Sequence, residues 1–268
     1  MKPNPLRKAK SSSDKIVSKP LLHPPLSEVV FELNFPNLFA VETGIAEYQR
    51  RVETLYPNSG GEYVVRLPSV AAFGKPSRPE GVGLKPMRSF VFQNQNNSRT
   101  VRVSVVNFAL VVTDYVHFEN YKGSLIAALI PALEIFQLHH VERVGLRYVN
   151  QIRIPDENAG VRYKEYVRSP LDSSAFSGHT PSNFLTEVSM DFDGTKKLTV
   201  RSGLLLPQSD SPERIYLLDL DCYSIGNVAL SSNGIIKLLD EYHAEIETEF
   251  MHAVTEKYWK YMAEGAPR

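Results

Sequence analysis

Val141-Glu142-Arg143-Val144-Gly145-Leu146-Arg147-Tyr148-Val149-Asn150-Gln151-Ile152-Arg153-Ile154 is the longest stretch of this chain that reads as a β-strand. Its side chains alternate. Val144, Leu146, Tyr148, Asn150, Ile152 and Ile154 fall on one face, and Arg143, Gly145, Arg147, Val149, Gln151 and Arg153 on the other, because successive Cβ atoms point to opposite sides of a sheet. The apolar face calls for a covering layer. The guanidiniums opposite call for anions. These are either phosphates, which the planar fork grips bidentately, or carboxylates on neighbouring strands. Gly145, between two arginines, would let a ligand approach the backbone.

Upstream of this strand, Leu125, Leu129, Leu133 and Phe136 mark one face of a helix starting near Asn120, with Pro131 expected to kink it. Before that come three strands in a meander, 90–94, 100–106 and 108–113, the first two joined by the turn Asn96-Asn97-Ser98. Nearer the start, Phe31, Leu33 and Phe35 alternate along a strand stopped by Pro36. Ile45, Tyr48, Val52 and Leu55 then trace a helix ended by Pro57-Asn58-Ser59-Gly60. A short strand over 62–67 leads into a Pro- and Gly-rich loop, 68–86. Within it Gly81-Val82-Gly83 begins like a dinucleotide loop. Pro86 stands where the third glycine belongs and no helix follows, so that motif is excluded.

Downstream the rhythm returns. Strand 184–192 turns through Asp193-Gly194 into 198–206, and 214–223 makes a third strand. Ile235, Leu239, Tyr242, Ile246, Phe250 and Val254 then form the apolar stripe of a long helix, and Thr255-Glu256 reads as the cap of a fresh helical segment. The expected fold is α+β: two mostly antiparallel meander units, each followed by a helix, with the long C-terminal helix on the sheet. The expected organisation is a basic, disordered arm over 1–25, a first unit over 26–155, a connector over 156–183 and a second unit over 184–268 that forms one compact domain with the first.

Lys and Arg together number 30 and so do Asp and Glu, so no global field draws the chain to nucleic acid or membrane and any attraction is local. The single cysteine, Cys222, excludes an internal disulfide and a thiol-rich metal site, and in its apolar run it reads as a small hydrophobe. The longest apolar run, 125–135, is too short for a bilayer, and no apolar segment follows the basic start. The expected compartment is therefore the cytoplasm.

Three segments carry a family resemblance: Pro25-Leu26-Ser27-Glu28-Val29-Val30-Phe31-Glu32-Leu33, Arg143-Val144-Gly145-Leu146-Arg147-Tyr148-Val149-Asn150, and Leu239-Asp240-Glu241-Tyr242-His243 with Thr255-Glu256-Lys257-Tyr258-Trp259. Together they resemble a sporadically distributed, uncharacterised family of prokaryotic proteins of similar length. The resemblance implies a bacterial or archaeal cytoplasmic protein, and the patchy occurrence of the family points to mobile elements or defence loci. It supplies no catalytic residues.

Candidate chemistry divides into a few groups. Arg143, Arg147, Arg153 and Gln151, with Lys8 and Lys10 of the arm, form a candidate binding set for nucleic acid or an acidic partner. Asp219 and Asp221 share one strand face and, with Glu187 or Asp191 as a third acid, could clamp a divalent metal; they could equally answer the arginine row. His243, with Asp240 and Glu247 one turn away on either side, is a metal candidate or a core-edge histidine bonded to a carboxylate. His252 lies on another side of that helix. His139-His140 diverge, and nothing orders His179 with Ser173, Ser174 or Ser177 into a triad. Tyr258, Trp259 and Tyr261 read either as stacking platforms or as packing.

The leading expectation is a non-enzymatic binding or regulatory module of a prokaryotic system, contacting protein or nucleic acid, with no cofactor and no membrane, and compatible with a homo-oligomer. The alternative is a metal-dependent phosphodiesterase or nuclease on Asp219 and Asp221. A third reading is a small-ligand binder with its pocket between the sheet and the long helix.

Overall fold

The computed structural model describes residues 21–64, 87–155, 162–169, 181–206, 213–229 and 231–265. Lys8 and Lys10, the loop 68–86, and most of the connector, with Ser173, Ser174, Ser177 and His179, lie outside the described residues.

In chain order the elements are β1 (Leu26–Asn34), α1 (Ala40–Val52), β2 (Asn58–Val64), β3 (Met87–Gln93), β4 (Arg99–Ser104), β5 (Asn107–Val112), α2 (Phe118–Phe136), β6 (His140–Pro155), a short 3-10 turn (Tyr163–Glu165), β7 (Thr186–Asp191), β8 (Lys196–Leu204), β9 (Glu213–Ala229), α3 (Ser232–Ala253) and α4 (Glu256–Glu264). The class is α+β, as expected. The two meanders, however, are not separate units. They belong to one antiparallel nine-stranded sheet in the order β2-β3-β4-β5-β1-β6-β9-β8-β7.

The reason is the strand that precedes each meander. β1 returns beside β5 and β6 beside β9, so each half runs strand, meander, helix; the first half also inserts α1 after its opening strand and adds a fourth meander strand, β2. β1 and β6 then pair antiparallel with each other, Phe31 opposite Leu146, and fuse the halves. The shared part of the connectivity, β1 with β3-β4-β5-α2 and β6 with β7-β8-β9-α3, recurs although the halves share no evident sequence.

Register builds the core. Phe92, Val101, Leu110, Phe31, Leu146, Cys222 and Leu198 stand side by side across β3-β4-β5-β1-β6-β9-β8, and all are buried. Each such side chain contributes roughly 1.5–3 kcal/mol by leaving water. The helices cover this face alone. Tyr48 of α1 meets Phe92 edge-on at 5.3 Å, and its hydroxyl donates to the Ala128 carbonyl of α2 at 3.0 Å. Tyr242 of α3 donates to Ser224 of β9 at 2.7 Å. Cys222 is buried as expected, and burial pushes its thiol up to about 12.

Several local expectations shift. β2 begins at Asn58, inside the segment expected only to end a helix, because Asn58 pairs with Gln93 and an edge strand tolerates Gly60 and Gly61. α2 starts at Phe118, where His117 Nδ1 accepts from the Asn120 N–H at 3.1 Å, and it continues through Pro131. The α3 stripe is buried at Ile235, Leu239, Tyr242, Ile246 and Val254. The helix stops where the capping pattern indicated, with the Thr255 hydroxyl accepting from the Tyr258 N–H at 3.2 Å to start α4. Among the described residues no helix is long and apolar enough to cross a membrane.

Two tyrosines of this core make opposite predictions. The Tyr121 hydroxyl is buried without a hydrogen-bond partner, whereas that of Tyr48 is satisfied. Tyr121→Phe is expected to leave stability unchanged or raise it by about 1 kcal/mol, and Tyr48→Phe to lower it by about 1 kcal/mol, in urea titrations. Equal losses would contradict this assignment.

Candidate interaction face of the sheet

The face of the sheet opposite the helices carries the arginine row. From Arg143 to Pro155 the pairing of β6 with β9 is continuous, so the expected alternation holds there; the one irregularity falls between Val141 and Arg143. No described helix lies over this face.

Each guanidinium is engaged by carboxylate. Arg147 meets Asp219 with two parallel bonds, Nε to Oδ1 at 2.7 Å and Nη2 to Oδ2 at 2.8 Å. From the other side Arg201 on β8 reaches the same Asp219 at 3.4 Å and Glu187 on β7 at 2.6 Å. Arg143 spans both directions, with Nη2 on the two Asp221 oxygens at 2.7 and 2.9 Å and Nη1 on Glu32 of β1 at 2.9 Å. Glu32 in turn accepts from Asn107 of β5 at 2.8 Å. Two chains of charge therefore cross the sheet, Glu187–Arg201–Asp219–Arg147 over β7-β8-β9-β6 and Asp221–Arg143–Glu32–Asn107 over β9-β6-β1-β5. Arg153 is looser, 3.6 Å from Glu213 and 59 % exposed, and Gln151 is exposed beside it.

Burial explains the tightness. Asp219 is 1 % exposed, and a carboxylate removed from water must be compensated by charge and hydrogen bonds. Its bonds hold the Arg147 guanidinium above the ordinary arginine value. Burial pushes the Asp221 carboxyl upward, opposed by Arg143 and Arg147.

Gly145 does not serve as an opening for a ligand. The Arg143 guanidinium itself lies over it, so close that a Cβ there would stand 2.7 Å from Nη1, and the same group sits 4.6 Å above the Tyr223 ring. The missing side chain makes room for the ion pair.

The structure brings Asp219, Asp221 and Glu187 onto one face, but each holds a guanidinium. Among the described residues no three His, Cys, Asp or Glu side chains are arranged to hold a metal ion. His243 is a core-edge residue. Its Nδ1 is 3.0 Å from the Tyr148 hydroxyl, its ring stacks on Phe118 at 3.8 Å, and Nε2 lies 3.4 Å from Glu247. Burial lowers its pKa to about 4, which leaves the ring neutral between the Tyr148 hydroxyl and the Glu247 carboxyl. Asp240 instead binds Lys122 at 2.9 Å. The terminal aromatics pack: Tyr258 meets Tyr166 edge-on, and Tyr261 stacks on His23 at 4.5 Å.

No family model matches the chain, and no curated protein sequence matches it either.

Sequence reasoning passed over Arg201 and Glu32, the residues that turn isolated pairs into chains. Alternation puts both on the polar face, but only register shows that Arg201 stands opposite Asp219 and that Glu32 pairs with Gly145, beneath Arg143.

Two predictions follow from these contacts. Arg147→Met leaves Asp219 to Arg201 alone and is expected to lower stability by about 2 kcal/mol, while Arg153→Met stays within about 0.5 kcal/mol; matching losses in denaturant titrations would remove the distinction. His243 is depressed from 6.5 to about 4 in the folded state. The unfolded chain therefore binds the extra proton first as pH falls, and stability present above pH 6.5 is lost toward pH 4. Between pH 7 and pH 5 this group accounts for about 2 kcal/mol of that loss. His243→Gln is expected to flatten the stability–pH curve by that amount, and an unchanged slope would show that His243 is not the group responsible.

Proposed function

We propose that this chain is a non-enzymatic interaction module that engages a partner protein through the open face of its sheet. The observation carrying the proposal is that a wide antiparallel sheet places all its helices on one side and, among the described residues, leaves the other as a rigid field of paired charges. Within it Arg147, at 42 % exposure, and the looser Arg153 and Gln151 face solvent. Guanidiniums already held by carboxylates are pre-organised, so little side-chain entropy is lost when a partner accepts their remaining N–H groups. Arginine on a rigid platform is a frequent anchor of protein interfaces.

The balance of charge favours protein over nucleic acid. Acids stand beside every arginine of the row, which weakens attraction for a phosphate backbone. The phosphodiesterase reading ranks below, since Asp219 and Asp221 spend their oxygens on arginine. Within this proposal the module belongs to a prokaryotic system of the kind carried by mobile elements or defence loci, in keeping with the family its three segments resemble.

The test is affinity purification of the full chain from its native cells, beside a Gln151→Glu/Arg153→Glu variant of equal stability. A partner retained by the wild type and depleted about tenfold by the variant is the expected result. A partner held equally by both, or none held by either, counts against this face. Binding to DNA or RNA that falls steeply with salt and depends on Arg153 would transfer the face to nucleic acid.

A further inference from the structure

We infer that the outer edge of β7 is a docking site for an extended segment of a partner protein, which adds there as a strand and seats an apolar side chain in the adjoining cavity. The inference rests on reading the chain as a protein-interaction module but uses a different surface.

Backbone phase identifies the free groups. The Phe184 N–H donates to Leu204 O and the Phe192 N–H to Lys196 O, each at 3.0 Å. In an antiparallel pair such bonded positions recur at every second residue. Thr186, Val188 and Met190 therefore face β8, and the N–H and C=O groups of Glu187, Ser189 and Asp191 point outward. β7 is the last strand of the sheet, so among the described residues no strand meets them.

A cavity of about 250 Å³ lies beside that edge, between the helix-side surface of β7-β8-β9 and the last turn of α3. Val188, Met190, Val200, Leu218 and Ala253 supply its apolar wall. It is smaller than the roughly 300–1,000 Å³ of small-molecule sites, a size suited to one side chain rather than a free ligand. α3 lies on β9 and β6 and leaves the edge uncovered, so Val188 is 46 % exposed on the same side. Strand addition uses this combination: backbone bonds give affinity and pockets for alternate side chains give selectivity.

Charge states what the partner carries. On the opposite side of β7 the outermost groups are the carboxylates of Glu187 and Asp191. Their cations, Arg201 and Lys197, lie inward on β8. An incoming strand meets acid first and favours Lys or Arg opposite both, with apolar residues opposite Val188 and Met190. The resulting pattern is basic, apolar, small, apolar, basic. A second copy of this chain fits less well, because stacking Val188 on Met190 of the copy sets Glu187 against Asp191.

The experiment is an NMR titration of the 15N-labelled full chain with the peptide Gly-Lys-Leu-Ser-Val-Lys-Gly and its charge-reversed form Gly-Glu-Leu-Ser-Val-Glu-Gly. Saturable shifts at the Glu187, Ser189 and Asp191 amides are expected, with affinity for the basic peptide higher by about tenfold. Ser189→Pro removes an outward N–H and keeps the backbone bonds to β8, losing besides it only the Ser189 hydroxyl's bond to the Thr199 hydroxyl at 2.9 Å; it should abolish binding, whereas Ser189→Ala, which loses that side-chain bond alone, should bind as the wild type does. Gln151→Glu/Arg153→Glu should leave peptide binding unchanged, which separates this site from the open face. Equal affinity for the two peptides, or shifts that survive Ser189→Pro, would overturn the proposal. So would a dimer in sedimentation that Ser189→Pro makes monomeric, since the occupant would then be a second copy.

Discussion

The pairing of β1 with β6 is the constraint on which the rest of the molecule depends. Each half of the chain closes its meander with the strand that began it, and either half alone would present β1 or β6 as a long open edge. Joined antiparallel, with Val29 opposite Tyr148, Phe31 opposite Leu146 and Leu33 opposite Val144, they merge two apolar surfaces into one. A core of this width buries far more apolar surface per residue than either half could. It also lets α2 and α3 share a layer over the centre, where Lys122 of α2 reaches Asp240 of α3.

The same junction organises the polar face. The two chains of charge share β6 and β9, with Arg147 reaching β9 and Arg143 reaching both β9 and β1. Such networks bind register. A slip of one residue between β6 and β9 would turn the buried Asp219 toward the apolar side and leave Arg147 without its fork, so wrong pairings are penalised electrostatically as well as by burial. Gly145 belongs to this device, since any side chain there would displace the Arg143 guanidinium. The centre is thus fixed by covalently remote residues, while the periphery at β7 keeps outward backbone groups and an uncovered apolar strip.

Most elements were legible because their signals are local. The stripe of α3, the Thr255 cap, the left-handed Gly194 of the β7–β8 turn and the alternation of β6 each follow from spacing within a few residues. The start of β2 was not legible. Nothing near Asn58 announces a strand, and only the neighbouring β3 makes one. The arginine row was visible as a row, but not as half of a lattice, because its partners lie 60 to 111 residues away in sequence.

By itself the sequence determined most of the helical and extended segments, the apolar face of the amphipathic ones, and that Arg143, Arg147 and Arg153 share a side, since all of these depend on chemistry repeating over one or two turns of backbone. Only the tertiary structure decided that two meanders make one sheet, that the guanidiniums are clasped by acids from β1 and β9, and that β7 is left at the rim. Those outcomes depend on register between distant strands, which is set by the fit of whole apolar surfaces and leaves no mark in any single segment.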